Sequence, residues 1–120
     1  MSRRSQELQE LREVVRSEQR LWAWGSDEGI SPWEDRHGRL MLTFWKSESR
    51  AIEENQSDME PGEGAVPYPV TTLLNKLESW AEAGVEVYGL EPRRGKVLYS
   101  LDSMEFRSFL LGESAGPELP

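Results

Sequence analysis

Residues 21–45 read LWAWGSDEGISPWEDRHGRLMLTFW and hold four of the five tryptophans of the chain. Their apolar residues come in short runs separated by Asp-Glu-Gly and by Arg-His-Gly, the pattern of strands joined by tight turns. Leu21 and Ala23 alternate with Trp22 and Trp24 across a first strand, and residues 25–29 turn the chain. A short second strand over 30–34 contains Pro32, which cannot donate to a ladder, so it belongs at an edge or a bulge. After a turn at 35–38, residues 39–45 form a third strand, with Leu40, Leu42 and Phe44 on one face and Met41, Thr43 and Trp45 on the other. Both faces are apolar enough to be covered, so this strand is expected in a central position. The stretch reads as a three-strand meander.

Outward from it, Leu8, Leu11 and Val15 fall at helical spacing within residues 5–19, an amphipathic helix expected to lie against the sheet. Downstream, Ser47 is placed to cap a short helix over 48–55, with Ala51 and Ile52 as its inward anchors. Residues 56–64, QSDMEPGEG, read as a polar loop and flexible insertion. The run VPYPV at 66–70 is extended, because each proline forces its predecessor out of the helical region. Thr71 then reads as the N-cap of a helix over 72–83 that carries Leu73, Leu74, Leu77 and Trp80, and Gly84 stands where a helix stops. Strands over 85–90 and 97–101 flank a turn at 91–96 and form a hairpin. Asp102 and Glu105 have the spacing of a capping box opening a last helix, 103–111, with Met104, Phe109 and Leu110 as core candidates and Gly112 as the stop.

This order points to an α+β fold with a mostly antiparallel sheet of about five strands and helices packed on it. A length of 120 residues suits one domain, expected over 1–112, followed by a disordered tail at 113–120. There is no cysteine, which removes disulfides, thiolate zinc sites and cysteine nucleophiles together. The start MSRRSQELQEL lacks an apolar core of signal-peptide length, and no window reaches the ~18–20 apolar residues of a membrane span. A cytoplasmic protein off the membrane is expected. A net charge of −8 repels phosphate backbones, so nucleic acid is not an expected partner, and the acidity suits either solubility or a basic protein partner.

The run Leu21-Trp22-Ala23-Trp24, then Asp27-Glu28-Gly29, Gly38 and Leu40 to Trp45, followed by the helix that carries Trp80 and by Gly84-Val85-Glu86-Val87-Tyr88, resembles the DUF2750 family of small bacterial proteins. The resemblance covers about residues 5–111 and departs from the family in the acidic loop 56–64 and in the Arg-rich start. It implies a small cytoplasmic bacterial α+β protein with no established activity, so it assigns no catalytic residue.

The chemistry-bearing residues are sparse. His37 is the one histidine and lies in a turn, without the orienting partner a general base requires. Metal-ligand spacing, a phosphate-binding glycine loop and a nucleophile elbow are all missing, so no catalytic residue, metal or cofactor is expected. Arg93, Arg94 and Lys96 make one small basic cluster on a turn. The aromatic residues stand out: Trp22, Trp24, Trp33 and Trp45 are expected to supply a partner-binding patch, since tryptophan anchors interfaces. The expected role is a non-enzymatic, accessory or immunity-like interaction module. The alternative is a small-ligand binder or enzyme using a sheet–helix cleft lined by Tyr68, Trp80, Tyr88 and Arg94. A homodimer through the first helix or an exposed strand edge is compatible with either.

Overall fold

Trp22 and Trp45 exchange both backbone hydrogen bonds, at 2.9 and 2.8 Å, and at this bridge two β-sheets meet. The structure, a computed structural model, describes residues 3–58 and 60–112; the tail expected at 113–120 lies outside them. The strands are β1 (Arg20–Ser26), β2 (Gly29–Ile30), β3 (Trp33–Glu34), β4 (Leu40–Phe44), β5 (Gly64–Pro69), β6 (Val85–Leu90) and β7 (Tyr99–Leu101). One sheet has the order β2-β1-β5 and the other β3-β4-β6-β7. The α+β class stands, but the single, mostly antiparallel sheet of about five strands is corrected to two sheets of three and four strands. Within the larger one, β4 and β6 run parallel, from Leu40 beside Val85 to Phe44 beside Leu90.

The break between the sheets is local and chemical. Ser31 still donates its N–H to the carbonyl of Trp24, at 2.9 Å, but the next residue of β1 that faces this side, Trp22, has both its backbone groups taken by Trp45. The chain therefore leaves β1 there, and Trp33 pairs instead with Met41 of β4. What reads as one short strand is two fragments in different sheets. The vacated side of β1 is taken by the proline-containing segment, which forms β5 along a register from Arg20 beside Pro69 to Gly25 beside Gly64. Val70 donates to the carbonyl of Gln19 at 2.9 Å, so residues of its parity face β1 while Pro67 and Pro69 turn their donorless nitrogens outward. Between Leu40 and Met41 the ladder slips by one residue of β6, leaving Glu86 in solvent.

Among the described residues, four α-helices complete the fold: α1 (Arg3–Glu18), α2 (Glu48–Asn55), α3 (Val70–Glu82) and α4 (Ser103–Leu111). The Ser47 hydroxyl caps α2 through the Arg50 N–H, and α4 opens on a complete Asp102–Glu105 capping box and closes on Gly112 in the left-handed region, as the sequence indicates. α3 starts two residues earlier than expected. Val70 follows Pro69 directly, no side chain caps the helix, and Thr71 is its second residue, not its N-cap.

β1 divides the interior. Leu21 and Ala23 enter the larger core with Leu8, Leu11 and Val15 of α1, Leu73 and Leu77 of α3, and the apolar face of α4. Trp22 and Trp24, on the opposite face, enter a smaller core closed by Ala51 of α2. Phe106 organises the larger core: its ring stacks on Tyr88 at 4.6 Å and on Phe44 at 5.2 Å between centroids. Two expected anchors are corrected. Met104 is 81% exposed, because once Asp102 fixes the start of α4 the inward positions are Phe106, Phe109 and Leu110. Ile52 is 40% exposed, because α2 approaches the tryptophans through the methyl group of Ala51. Among the described residues no helix is long and apolar enough to cross a membrane.

Phe106→Ala is expected to cost about 3–5 kcal/mol, the range for a truncated core aromatic. Met104→Ala is expected to stay within about 0.5 kcal/mol, because nothing packs on it. Urea unfolding monitored by circular dichroism checks the pair.

Candidate functional site

The backbone bridge places Trp22 and Trp45 on one face, and alternation along β1 adds Trp24 to it. Trp33, from β3, meets Trp45 edge-on at 6.3 Å. The structure thus brings all four tryptophans into one cluster but exposes them unequally. Trp45 is wholly buried and donates its indole N–H to the carbonyl of Pro92 at 3.1 Å. Trp24 is 5% exposed and donates to Glu63 at 3.2 Å. Trp22 and Trp33 are half-buried, and the guanidinium of Arg20 lies 5.4 Å from the Trp22 ring centre. Within this cluster, tryptophan surface open to a partner is therefore confined to Trp22 and Trp33.

Glu63 is a residue that sequence reasoning missed. It sits at the end of the acidic loop and accepts from the Ser31 hydroxyl at 2.6 Å, the Glu60 N–H at 3.2 Å and the Trp24 indole. The Ser31 hydroxyl above all, then the Glu60 N–H, hold its carboxyl below the usual range against partial burial, with the Trp24 N–H adding to them. The loop is tied to both β1 and the break at Pro32.

Tyr68, Trp80 and Tyr88 also come together, with ring centroids 6.3 Å apart at each step. Tyr88 is fully buried against Phe106, so rings fill the space between sheet and α3 that a cleft would need. Burial pushes the Tyr88 hydroxyl up, with the Ser103 side chain opposing it. Arg94 is not part of this group. It lies on the turn after β6, where its N–H and that of Gly95 each donate to the carboxylate of Glu54 at 3.0 Å.

That turn begins at Glu91, 2% exposed and held at a φ of 53° in the left-handed region, uncommon for a side chain of this size. Its own N–H donates to Phe44, and its carboxylate accepts from the Lys46 N–H at 3.0 Å and lies 3.6 Å from the Arg50 guanidinium. Arg93 beside it reaches Glu7 of α1 at 3.0 Å. The joint fastens α1, α2 and the end of β4 to one turn. Burial pushes the Glu91 carboxyl up, against the opposing pull of the Lys46 N–H and the charges of Lys46, Arg50 and Arg93. A glutamate before proline at a strand end, next to three cations, was the available signal.

A cleft of about 610 Å³ opens between the turn after β3 and the turn after β6. Trp33, Met41 and Val97 give its apolar lining, and Arg36, His37 and Lys96 stand around it. Gly89 is what lets this surface form: a Cβ there would lie 2.6 Å from Val97 and 3.0 Å from the sulfur of Met41. Asp35 shapes the first turn, accepting from the His37 N–H at 2.9 Å and from both the N–H and the guanidinium of Arg39 at 2.8 Å. Partial burial opposes ionisation of Asp35, but the Arg39 and His37 N–H groups and the Arg39 guanidinium together keep its carboxyl below the ordinary value. Among the described residues no group of three or more His, Asp or Glu side chains is placed to hold a metal ion.

No family model matches the chain, and no curated protein matches it.

Because the folded-state pKa of Glu91 is raised above its ordinary value of 4.5, the folded protein binds this proton more tightly than the unfolded chain. The contribution is fully present below that value and is lost as pH rises through the folded-state pKa. Glu91→Gln removes the titration, so its stability relative to the native chain is expected to rise with pH across that window. Denaturant unfolding at a series of pH values measures the difference; a flat line rejects it.

Proposed function

We propose that this chain is a non-enzymatic, cytoplasmic protein-interaction module, of the accessory or immunity-like kind, whose contact face centres on Trp33. The observation that carries the proposal is the seating of Trp33: half-buried on a two-residue edge strand, its ring rests edge-on against the wholly buried Trp45. An aromatic ring fixed from behind and open in front loses little freedom on binding, which is what makes such residues interface anchors. Trp22, half-buried under Arg20, is the second exposed tryptophan of the same cluster.

The resemblance to the DUF2750 family belongs to the same proposal, as does self-association. The apolar stripe of α1 is already spent inside the chain on Leu8, Leu11 and Val15, so a homodimer would use an exposed strand edge. The small-ligand alternative is less well supported, because Tyr68, Trp80 and Tyr88 pack on one another.

Trp33→Ala is expected to keep the fold and lose the partner, whereas Ile52→Ala, at an exposed position off the cluster, is expected to keep both. Affinity capture from the native host with both variants checks this. Retention of every partner by a folded Trp33→Ala protein defeats the proposal.

A further inference from the structure

Cations on this acidic molecule are mostly spoken for. Among the described side chains, those with neither a carboxylate nor a ring partner are Arg36, Arg94, Lys96 and Arg107. Three of these four fall on the two turns that flank the Trp33 cleft: Arg36 and Lys96 line it, and Arg94 is two residues from Lys96. Of the carboxylates there, Asp35 is bound by Arg39 and Glu54 by the Arg94 and Gly95 N–H groups, which leaves Glu34 unpaired in the cleft. A chain of net charge −8 thus gathers unpaired positive charge at one place, around a lining of Trp33, Met41 and Val97. Like charges held unpaired on adjacent turns repel one another at a cost that pairing with an anion relieves.

From this we infer that the cleft receives an acidic peptide segment of a protein partner, one apolar side chain entering between Trp33, Met41 and Val97 while flanking carboxylates meet Arg36 and Lys96. The inference rests on the interaction reading of Trp33 and adds the chemistry of the partner. Charge complementarity selects the occupant: a basic segment would meet Arg36 and Lys96 with like charge. The cleft volume of about 610 Å³ leaves room for a side chain and the backbone on either side of it.

The test is an NMR titration of the isotopically labelled full chain with the blocked peptide Glu-Glu-Phe-Glu-Glu and its counterpart Lys-Lys-Phe-Lys-Lys. The acidic peptide is expected to move the Trp33 indole signal and the amides of Arg36 and Gly95, with affinity falling as salt is added; the basic peptide is expected to leave them in place. Arg36→Glu combined with Lys96→Glu, both at exposed positions, is expected to weaken binding about tenfold. The inference is overturned if millimolar acidic peptide moves none of these signals, if the basic peptide binds equally well, or if the double reversal changes nothing. Trp33→Ala separates the two layers of the argument. Loss of binding in Trp33→Ala with no effect of charge reversal keeps the Trp33 face and removes the acidic partner; the opposite pattern does the reverse.

Discussion

Two backbone hydrogen bonds between Trp22 and Trp45 are the constraint on which the rest of this molecule depends. They join sheets that otherwise share no strand pairing, and they set the phase of both strands at once. With Trp22 and Trp45 opposed, Leu21, Ala23 and Phe44 must face the larger core and the tryptophans the smaller one. A one-residue slip would send the indoles into the helix-packed side and the aliphatic residues out. α2, lying over the smaller core, completes this division by offering a methyl group where a longer side chain would push the indoles apart.

The same arrangement explains why buried polar groups collect at two places. Each buried indole N–H requires an acceptor, since an unpaired donor in an apolar interior is costly. Trp24 finds Glu63 and Trp45 finds Pro92, and each acceptor fastens a connection to the cluster. Glu91, next to Pro92, carries the strain of that fastening in its backbone and in its burial. The aromatic cluster is thus held from both ends by acceptors drawn from loops, a carboxylate at Trp24 and a backbone carbonyl at Trp45.

What could be read from the sequence was local. Ser47, the Asp102–Glu105 pair and Gly112 act at their own helix ends, so α2 and α4 were legible to the residue. The double-sided apolar pattern of residues 40–45 identified the central strand for the same reason. Pairing across distance left no such mark. Nothing in Leu40 or Val85 announces that they run side by side in parallel, and the prolines of β5 argued against a strand whose edge position makes them harmless. Phe106 was hidden by one helical phase error, Met104 taking its place. The four tryptophans were legible as a group, but which of them faces outward depends on α2 and on Trp45, and neither can be weighed before the sheets are assembled. Glu63 looks like any other of the 22 acidic residues until its hydrogen bonds distinguish it, and Glu91 is marked by its place before Pro92 at a strand end.

The outward edge of β5 offers no hydrogen at Pro67 or at Pro69, so two successive rungs of any added ladder would fail there. An open sheet margin ordinarily invites another chain to extend it, and aggregation begins that way. This margin is blunted chemically, by its prolines. The consequence is directional: a strand recruited from outside finds no ladder beside β5, and any addition is turned toward the other margins of the two sheets.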